Sequence, residues 1–272
     1  MITHRASVLG DPIEHSKSPL IHNTGYQALG MDDWEYTAIQ CPEGDLPSIV
    51  SAADDSVAGF SVTMPGKFDA LNFADEVTER ARLVGSANTL VRTETGWLAD
   101  NTDADGVAGA LREVGVESVA GGTAIVVGAG GTARPAVWAL AQAGITHLIV
   151  VARSERAYNL EPLATELGMT FHWVPFTDQN LADVAGTAEV LVSTVPSEGL
   201  VGYNGQLARA KRIVDVIYDP WPTPLVEAAR RTDTPAVGGL TMLLHQALGQ
   251  FEQFTGRTAP EKEMREKLFE LL

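Results

Sequence analysis

The chain has 272 residues, 45% of them hydrophobic, with a formal net charge of -16 and a single cysteine, Cys41. That length holds one large domain or two modest ones with ample core; the acidic excess argues against a nucleic-acid partner, which demands a basic face; and a lone cysteine excludes an internal disulfide. No apolar stretch reaches the length of a membrane span and the first ten residues are too soon a strand to be a secretory signal, so a soluble, cytoplasmic protein is expected.

In chain order, Ala6 to Gly10 reads as a strand broken by Asp11-Pro12, and Ser18 precedes Pro19 as an N-cap precedes a proline at the first helical position. The helix that follows runs to about Gly30. Trp34 to Ile39 is predicted as a second strand, Asp45 to Ala53 as a short helix, and Val57 to Thr63 as a third strand ending in the turn Met64-Pro-Gly-Lys67. Thr78 to Leu83 reads as helical, and Ala87 to Arg92 with Thr95 to Ala99 as a hairpin. Asn101-Thr-Asp103 opens a helix through Val114. Strands and helices alternate from the start, which predicts an α/β fold of two domains.

The middle of the chain is the most informative. Thr123 to Val127 is a short apolar run, Gly128, Gly130 and Ala133 fit the spacing G-x-G-x-x-G/A, and Ala136 onward is an Ala-rich helix ended by Gly144. A second apolar run, His147 to Ala152, completes a β-α-β unit. In that context the first glycine permits a tight turn, the second lets backbone approach a pyrophosphate, and Ala133 lets helix pack closely on strand. A Rossmann-like dinucleotide site is predicted. The second strand runs out into Arg153-Ser-Glu-Arg156, where an NAD site would carry an acidic residue for the ribose; two arginines and a serine suit a 2'-phosphate, hence NADP.

Beyond it, a helix is expected over Leu160 to Leu167, strands over Thr170 to Val174, Ala188 to Ser193 and Arg212 to Ile217, and helices over Pro224 to Arg231, Gly239 to Phe254 and Glu261 to Leu272. His15 and His22 lack a third ligand at metal spacing, so no metal is expected.

Seven spaced motifs then coincide along nearly the whole chain: Gly10-x-Pro12-Ile13-x-His15-Ser16-x-Ser18-Pro19-x-x-His22-Asn23; Val62-Thr63-x-Pro65-x-Lys67; Gly85-x-Ala87-Asn88-Thr89-Leu90; Asn101-Thr102-Asp103-x-x-Gly106; Gly128-Ala129-Gly130-Gly131-x-x-Arg134; Asp215-x-x-Tyr218-x-Pro220-x-x-Thr223-Pro224-Leu225; and Gly238-Gly239-x-x-Met242-Leu243-x-x-Gln246-Ala247. In these the chain resembles the shikimate/quinate dehydrogenase family. The resemblance implies reversible reduction of 3-dehydroshikimate to shikimate by NADPH, a step of aromatic biosynthesis, with a substrate domain over 1–103 plus 240–272 and an NADP-binding Rossmann domain over 104–239. The chain departs from the family pattern at Ser61, Ala152 and Ala157.

The resemblance also implies roles. Lys67 would be the proton donor to the carbonyl oxygen and the base in reverse, oriented by Asp103, because charge growing on that oxygen needs a donor. Ser16, Ser18 and Tyr218 would meet the substrate carboxylate, and Thr63, Asn88, Asp103 and Gln246 its ring hydroxyls. For the cofactor, Gly128, Ala129, Gly130, Gly131, Thr132, Ala133 and Arg134 would line the pyrophosphate, and Ala152, Arg153, Ser154 and Arg156 the ribose phosphate. Thr194, Val195, Pro196, Gly239 and Met242 would wall the second ribose and the nicotinamide. Two other readings stand beside this one, an NAD-linked quinate/shikimate dehydrogenase and a non-catalytic regulatory protein that binds shikimate; a monomer or homodimer suits all three.

Overall fold

A computed structural model describes residues 1–119 and 121–271 and divides the chain into two compact units, Met1–Thr102 with Gln246–Leu272, and Asp103–His245. The first unit is built on β1 (His4–Gly10), α1 (Ser18–Ala28), β2 (Trp34–Gln40), α2 (Leu46–Ser51), β3 (Val57–Val62), α3 (Lys67–Phe73), β4 (Glu76–Val77), α4 (Glu79–Val84), β5 (Thr89–Arg92) and β6 (Trp97–Asp100). Its sheet has the order β2-β1-β3-β5-β6-β4. β1 runs parallel to both β2 and β3, and the hairpin β5–β6 adds to β3 antiparallel. Leu9, Phe60, Val62, Leu90 and Ala99 from four of these strands are buried in one cluster, the face that alternation selects.

The second unit begins with α5 (Asp103–Glu113) and continues through β7 (Thr123–Val127), α6 (Ala133–Gln142), β8 (His147–Ala152), α7 (Glu161–Glu166), β9 (Thr170–Pro175), α8 (Leu181–Thr187), β10 (Val190–Ser193), α9 (Asn204–Leu207), β11 (Ile213–Asp215), α10 (Pro224–Arg230) and β12 (Ala236–Val237). The sheet order β12-β11-β10-β7-β8-β9 is parallel throughout. Its strands are accordingly near-continuous buried runs, as in Ala124 to Val127 and Val190 to Ser193. The division falls inside α11 (Gly239–Thr255), between His245 and Gln246, so α12 (Glu261–Phe269) belongs with the first unit, where it packs on α1. No described helix is long and apolar enough to cross a membrane.

Several sequence expectations shift. Ser18 is the first helical residue and not the N-cap; Lys17 takes the cap position without a side-chain bond, and the Ser16 hydroxyl accepts the Ser18 N–H at 3.3 Å. Pro19 then occupies the second position, where a missing N–H is equally harmless. Lys67 does not end a loop but opens α3. The helix expected over Leu160 to Leu167 is α7, and a 3-10 turn over Glu155–Leu160, not expected, leads into it. The short elements β4, α8, α9 and β12 had no separate signal, and the last expected helical residue, Leu272, lies outside the described residues.

Candidate active site

In the first unit the polar residues collect at one edge of the sheet. β1 and β3 are parallel and both end there, and β5, which is antiparallel, begins there. The Thr63 N–H donates to Leu9 O at 2.8 Å and the Val62 N–H to Asn88 O at 2.7 Å. A Cβ on Gly10 would run into the Thr63 methyl, so glycine is what allows this close approach. Gly66 N–H closes a turn on Thr63 O at 3.0 Å and α3 starts at Lys67, whose own carbonyl accepts the Ala87 N–H at 3.0 Å. Thr63, Lys67 and Asn88 are thereby tied together through main chain. Ser16 and Ser18 follow the end of β1, Ser18 buried and Ser16 partly so.

Asn88 is 1% exposed and its amide orientation is determined by its neighbours. The Thr102 N–H, which can only donate, reaches Asn88 Oδ1 at 2.7 Å, and the Thr89 hydroxyl donates to the same oxygen at 2.8 Å. Nδ2 therefore faces Thr102 Oγ1 at 3.0 Å and Gln246 Oε1 at 3.4 Å. Thr102 ends the first unit and Asp103, buried at 5% exposure, is the next residue and the first of α5. Before them, Asp100 accepts from Thr78 Oγ1 at 2.6 Å, Arg80 Nε at 2.7 Å, Asn101 N–H at 2.8 Å and Gln253 Nε2 at 2.8 Å. Burial by itself would raise the Asp100 pKa, but the Arg80 guanidinium and Thr78 hydroxyl outweigh it and hold the carboxyl below its ordinary range.

In the second unit, β7 ends at the point where the strand order reverses, between β10 and β8. Gly128 has φ 103°, and a Cβ there would stand 2.6 Å from Val195 Cγ1 and 2.7 Å from Thr194 Oγ1, so only glycine suits. Thr194 in turn donates through its hydroxyl to Val127 O at 2.8 Å. At Gly130 and Gly131 a Cβ would meet nothing within 4 Å, which leaves the turn open to a ligand that approaches the backbone, whereas Ala133 is fully buried. Ala129 and Thr132 are partly buried on the same turn. Arg134 reaches Asn159 O at 3.2 Å, and burial lowers its pKa. Ala152 is buried at the end of β8, and Arg153, Ser154 and Arg156 are exposed just beyond it.

Val195 and exposed Pro196 continue from β10. Gly239 opens α11 where a Cβ would collide with the Val216 carbonyl, and Met242 is 8% exposed on the same helix. Tyr218 is 41% exposed on the loop after β11. Asp215, at the root of that loop, accepts from Thr223 Oγ1 at 2.7 Å and Ile217 N–H at 3.3 Å; burial pushes its carboxyl pKa up. His15 is exposed and His22 fully buried, and among the described residues no group of three or more His, Cys, Asp or Glu could hold a metal ion.

Sequence reasoning passed over the supporting set, Thr89, Thr102, Ser61 and Gln250. Two of these lay within quoted motifs, and Gln250 stands four residues after Gln246 on the same helix face, a spacing that would have pointed to it.

A parallel sheet of this order with an open glycine turn at its switch point defines the class, a dinucleotide-binding protein of Rossmann type with a second α/β unit. Family models agree and are finer: the shikimate dehydrogenase substrate binding domain matches residues 8–90, shikimate / quinate 5-dehydrogenase residues 110–218, and the shikimate 5'-dehydrogenase C-terminal domain residues 239–269. A shikimate dehydrogenase (NADP(+)) of Methylobacterium radiotolerans is 39% identical, with 95% of each chain covered. The crystal structure of Mycobacterium tuberculosis shikimate dehydrogenase is 51% identical with a TM-score of 0.93, covering 98% of this chain and 99% of that one. The Thermus thermophilus shikimate 5-dehydrogenase, solved with NADP(H) and shikimate, is 29% identical at TM-score 0.82, over 99% of this chain and 100% of that one. The chain belongs to the shikimate dehydrogenase family.

Proposed function

We propose that Lys67 is the proton donor to the substrate's carbonyl oxygen, with Asp103 as the carboxylate that orients it. The activity is the NADP-dependent, reversible reduction of 3-dehydroshikimate to shikimate, an oxidoreductase step of aromatic amino acid biosynthesis. NADPH, when bound, supplies the hydride. Negative charge then builds on the oxygen, and an ammonium within reach stabilises that charge and gives up a proton; in the reverse direction the amine takes the proton back.

Ser16, Ser18 and Tyr218 receive the carboxylate, the serines beside the N-terminus of α1, where unpaired N–H groups favour an anion. Thr63, Asn88, Asp103 and Gln246 take the ring hydroxyls. Gly128 to Arg134 hold the pyrophosphate, Ala152 to Ser154 with Arg156 the 2'-phosphate, and Thr194 to Pro196 with Gly239 and Met242 the nicotinamide side. The functional halves are 1–103 with 240–272 for substrate and 104–239 for NADP. The enzyme works in the cytoplasm, where its single cysteine stays reduced, as a monomer or homodimer.

The observation that carries this reading is the gathering of Thr63, Lys67 and Asn88 at one sheet edge, where ligands of such sheets bind. Initial rates with shikimate and with quinate, each with NADP+ and NAD+, test it. Turnover of shikimate with NADP+ should dominate; faster quinate oxidation with NAD+ would reassign the cofactor arginines, and no turnover of any pair would leave a binding protein.

A further inference from the structure

Behind the sheet edge runs a buried chain of hydrogen bonds that the reaction itself does not use. Tyr36 Oη bonds Ser61 Oγ at 2.6 Å, and Ser61 Oγ bonds Gln250 Oε1 at 2.8 Å. Gln250 Nε2 bonds Asn88 O at 3.0 Å and Thr89 Oγ1 at 3.0 Å, and Thr89 Oγ1 bonds Asn88 Oδ1 at 2.8 Å. All five side chains are at most 4% exposed.

The direction of every link follows from one group. Asn88 O is a carbonyl and can only accept, so the Gln250 NH2 must face it, and Gln250 Oε1 must face Ser61. Ser61 then spends its one proton on Gln250, and the Tyr36 hydroxyl donates to Ser61. Burial pushes the Tyr36 phenol pKa up, so it keeps that proton. At the other end the Thr89 lone pair is taken by Gln250, which turns the Thr89 proton onto Asn88 Oδ1. This arrangement gives each of the five groups a partner.

We infer that Gln250 is a positioning residue of the substrate site: by clamping the main chain of Asn88 directly and its side chain through Thr89, it registers α11 against β5 and so sets the pairing of Asn88 with Gln246. Gln246 lies one helical turn before Gln250, so the clamp and the contact share one face of α11. Asn88 is thereby held in one orientation, its Nδ2 facing Thr102 and Gln246, so that little ordering of this side chain remains to be done on binding. The inference rests on the proposed role of Asn88 as a substrate contact.

The test is steady-state kinetics of shikimate oxidation with NADP+ for Thr89→Val, Thr89→Ser, Gln250→Met and Asn88→Ala. Thr89→Val keeps the shape and removes the hydroxyl; it should raise the shikimate KM about tenfold, the worth of one well-made hydrogen bond. Its NADP+ KM should stay the same and its kcat within about threefold, because the reacting groups remain in place. Thr89→Ser should restore the wild-type shikimate KM, and Gln250→Met should resemble Thr89→Val or exceed it. If Gln250→Met does not fold, the two Thr89 variants decide. A wild-type shikimate KM in Thr89→Val alongside a raised one in Asn88→Ala would overturn the clamp and leave the site reading standing. Equal rises in the KM of both substrates would also overturn it, as the mark of general loosening. A normal shikimate KM in Asn88→Ala would remove Asn88 from the site, and the clamp with it.

Discussion

Lys67 opens a helix, and its carbonyl is bonded to Ala87, so its main chain is held beside the sheet edge. Lys67→Ala should lower kcat by about 10²- to 10⁴-fold, the usual span for a lost general acid, with the shikimate KM little changed; stopped-time assays at saturating shikimate read this directly. A variant that keeps most of its turnover removes Lys67 from the chemistry. At the nucleotide turn the constraint is steric. Gly128→Ala adds a Cβ at φ 103° and 2.6 Å from Val195 Cγ1, two penalties together of about 2 kcal/mol or more. Thermal unfolding should show that loss, and the NADP+ KM should rise as the turn is displaced. Gly130→Ala meets nothing in the protein itself. It should leave the unfolding temperature nearly unchanged and raise only the NADP+ KM.

At the scale of elements, β6, α4 and α11 meet on one carboxylate. Asp100 takes bonds from Thr78 and Arg80 at the start of α4, and from Gln253 on α11. Asp100→Asn leaves the Arg80 guanidinium without its buried counter-charge and should cost about 3–5 kcal/mol, read as a lower urea midpoint. Because the folded-state pKa of Asp100 lies below its unfolded value, the stability it contributes is present above the ordinary carboxylate range and is lost as pH falls through the folded value. The same helix carries Gln246 and Gln250, which explains how a contact far along the chain meets Asn88. Helical spacing in α11 was readable; its partner strand was not. Two-residue strands such as β4 exist only because β6 lies beside them, with Glu76 paired to Leu98, and no local pattern announces them.

For the whole molecule, acid stability turns on His22. It is fully buried with its ring stacked on Tyr36 at 4.2 Å, and neither ring nitrogen has a well-formed hydrogen bond among the described residues. Burial lowers its pKa to about 3, opposed weakly by the nearby Gln250 side chain. The folded state therefore keeps this ring neutral while the unfolded chain protonates it below about pH 6.5, so stability falls as pH drops from about 6.5 toward 3, by up to about 5 kcal/mol at the low end. His22→Phe should flatten urea midpoints over that window; an unchanged slope would show that His22 does not titrate on unfolding. NADP+ at about 100 times its Kd should add about 2.7 kcal/mol of stability, and Arg153→Ala should need more ligand for the same gain.

The sequence by itself determined the β-α-β unit, the glycine turn, the expectation of NADP and the family, because each depends on neighbours in the chain: a period of two or of 3.6, a turn that only glycine can make, a motif at fixed spacing. Only the tertiary structure decided that Ser18 lies inside its helix, that Ser61 joins Tyr36 to Gln250, and which way the Asn88 amide points. Those are matters of donors and acceptors brought together from residues as far apart as 61 and 250. A hydrogen bond has a direction and a length that no one-dimensional pattern carries.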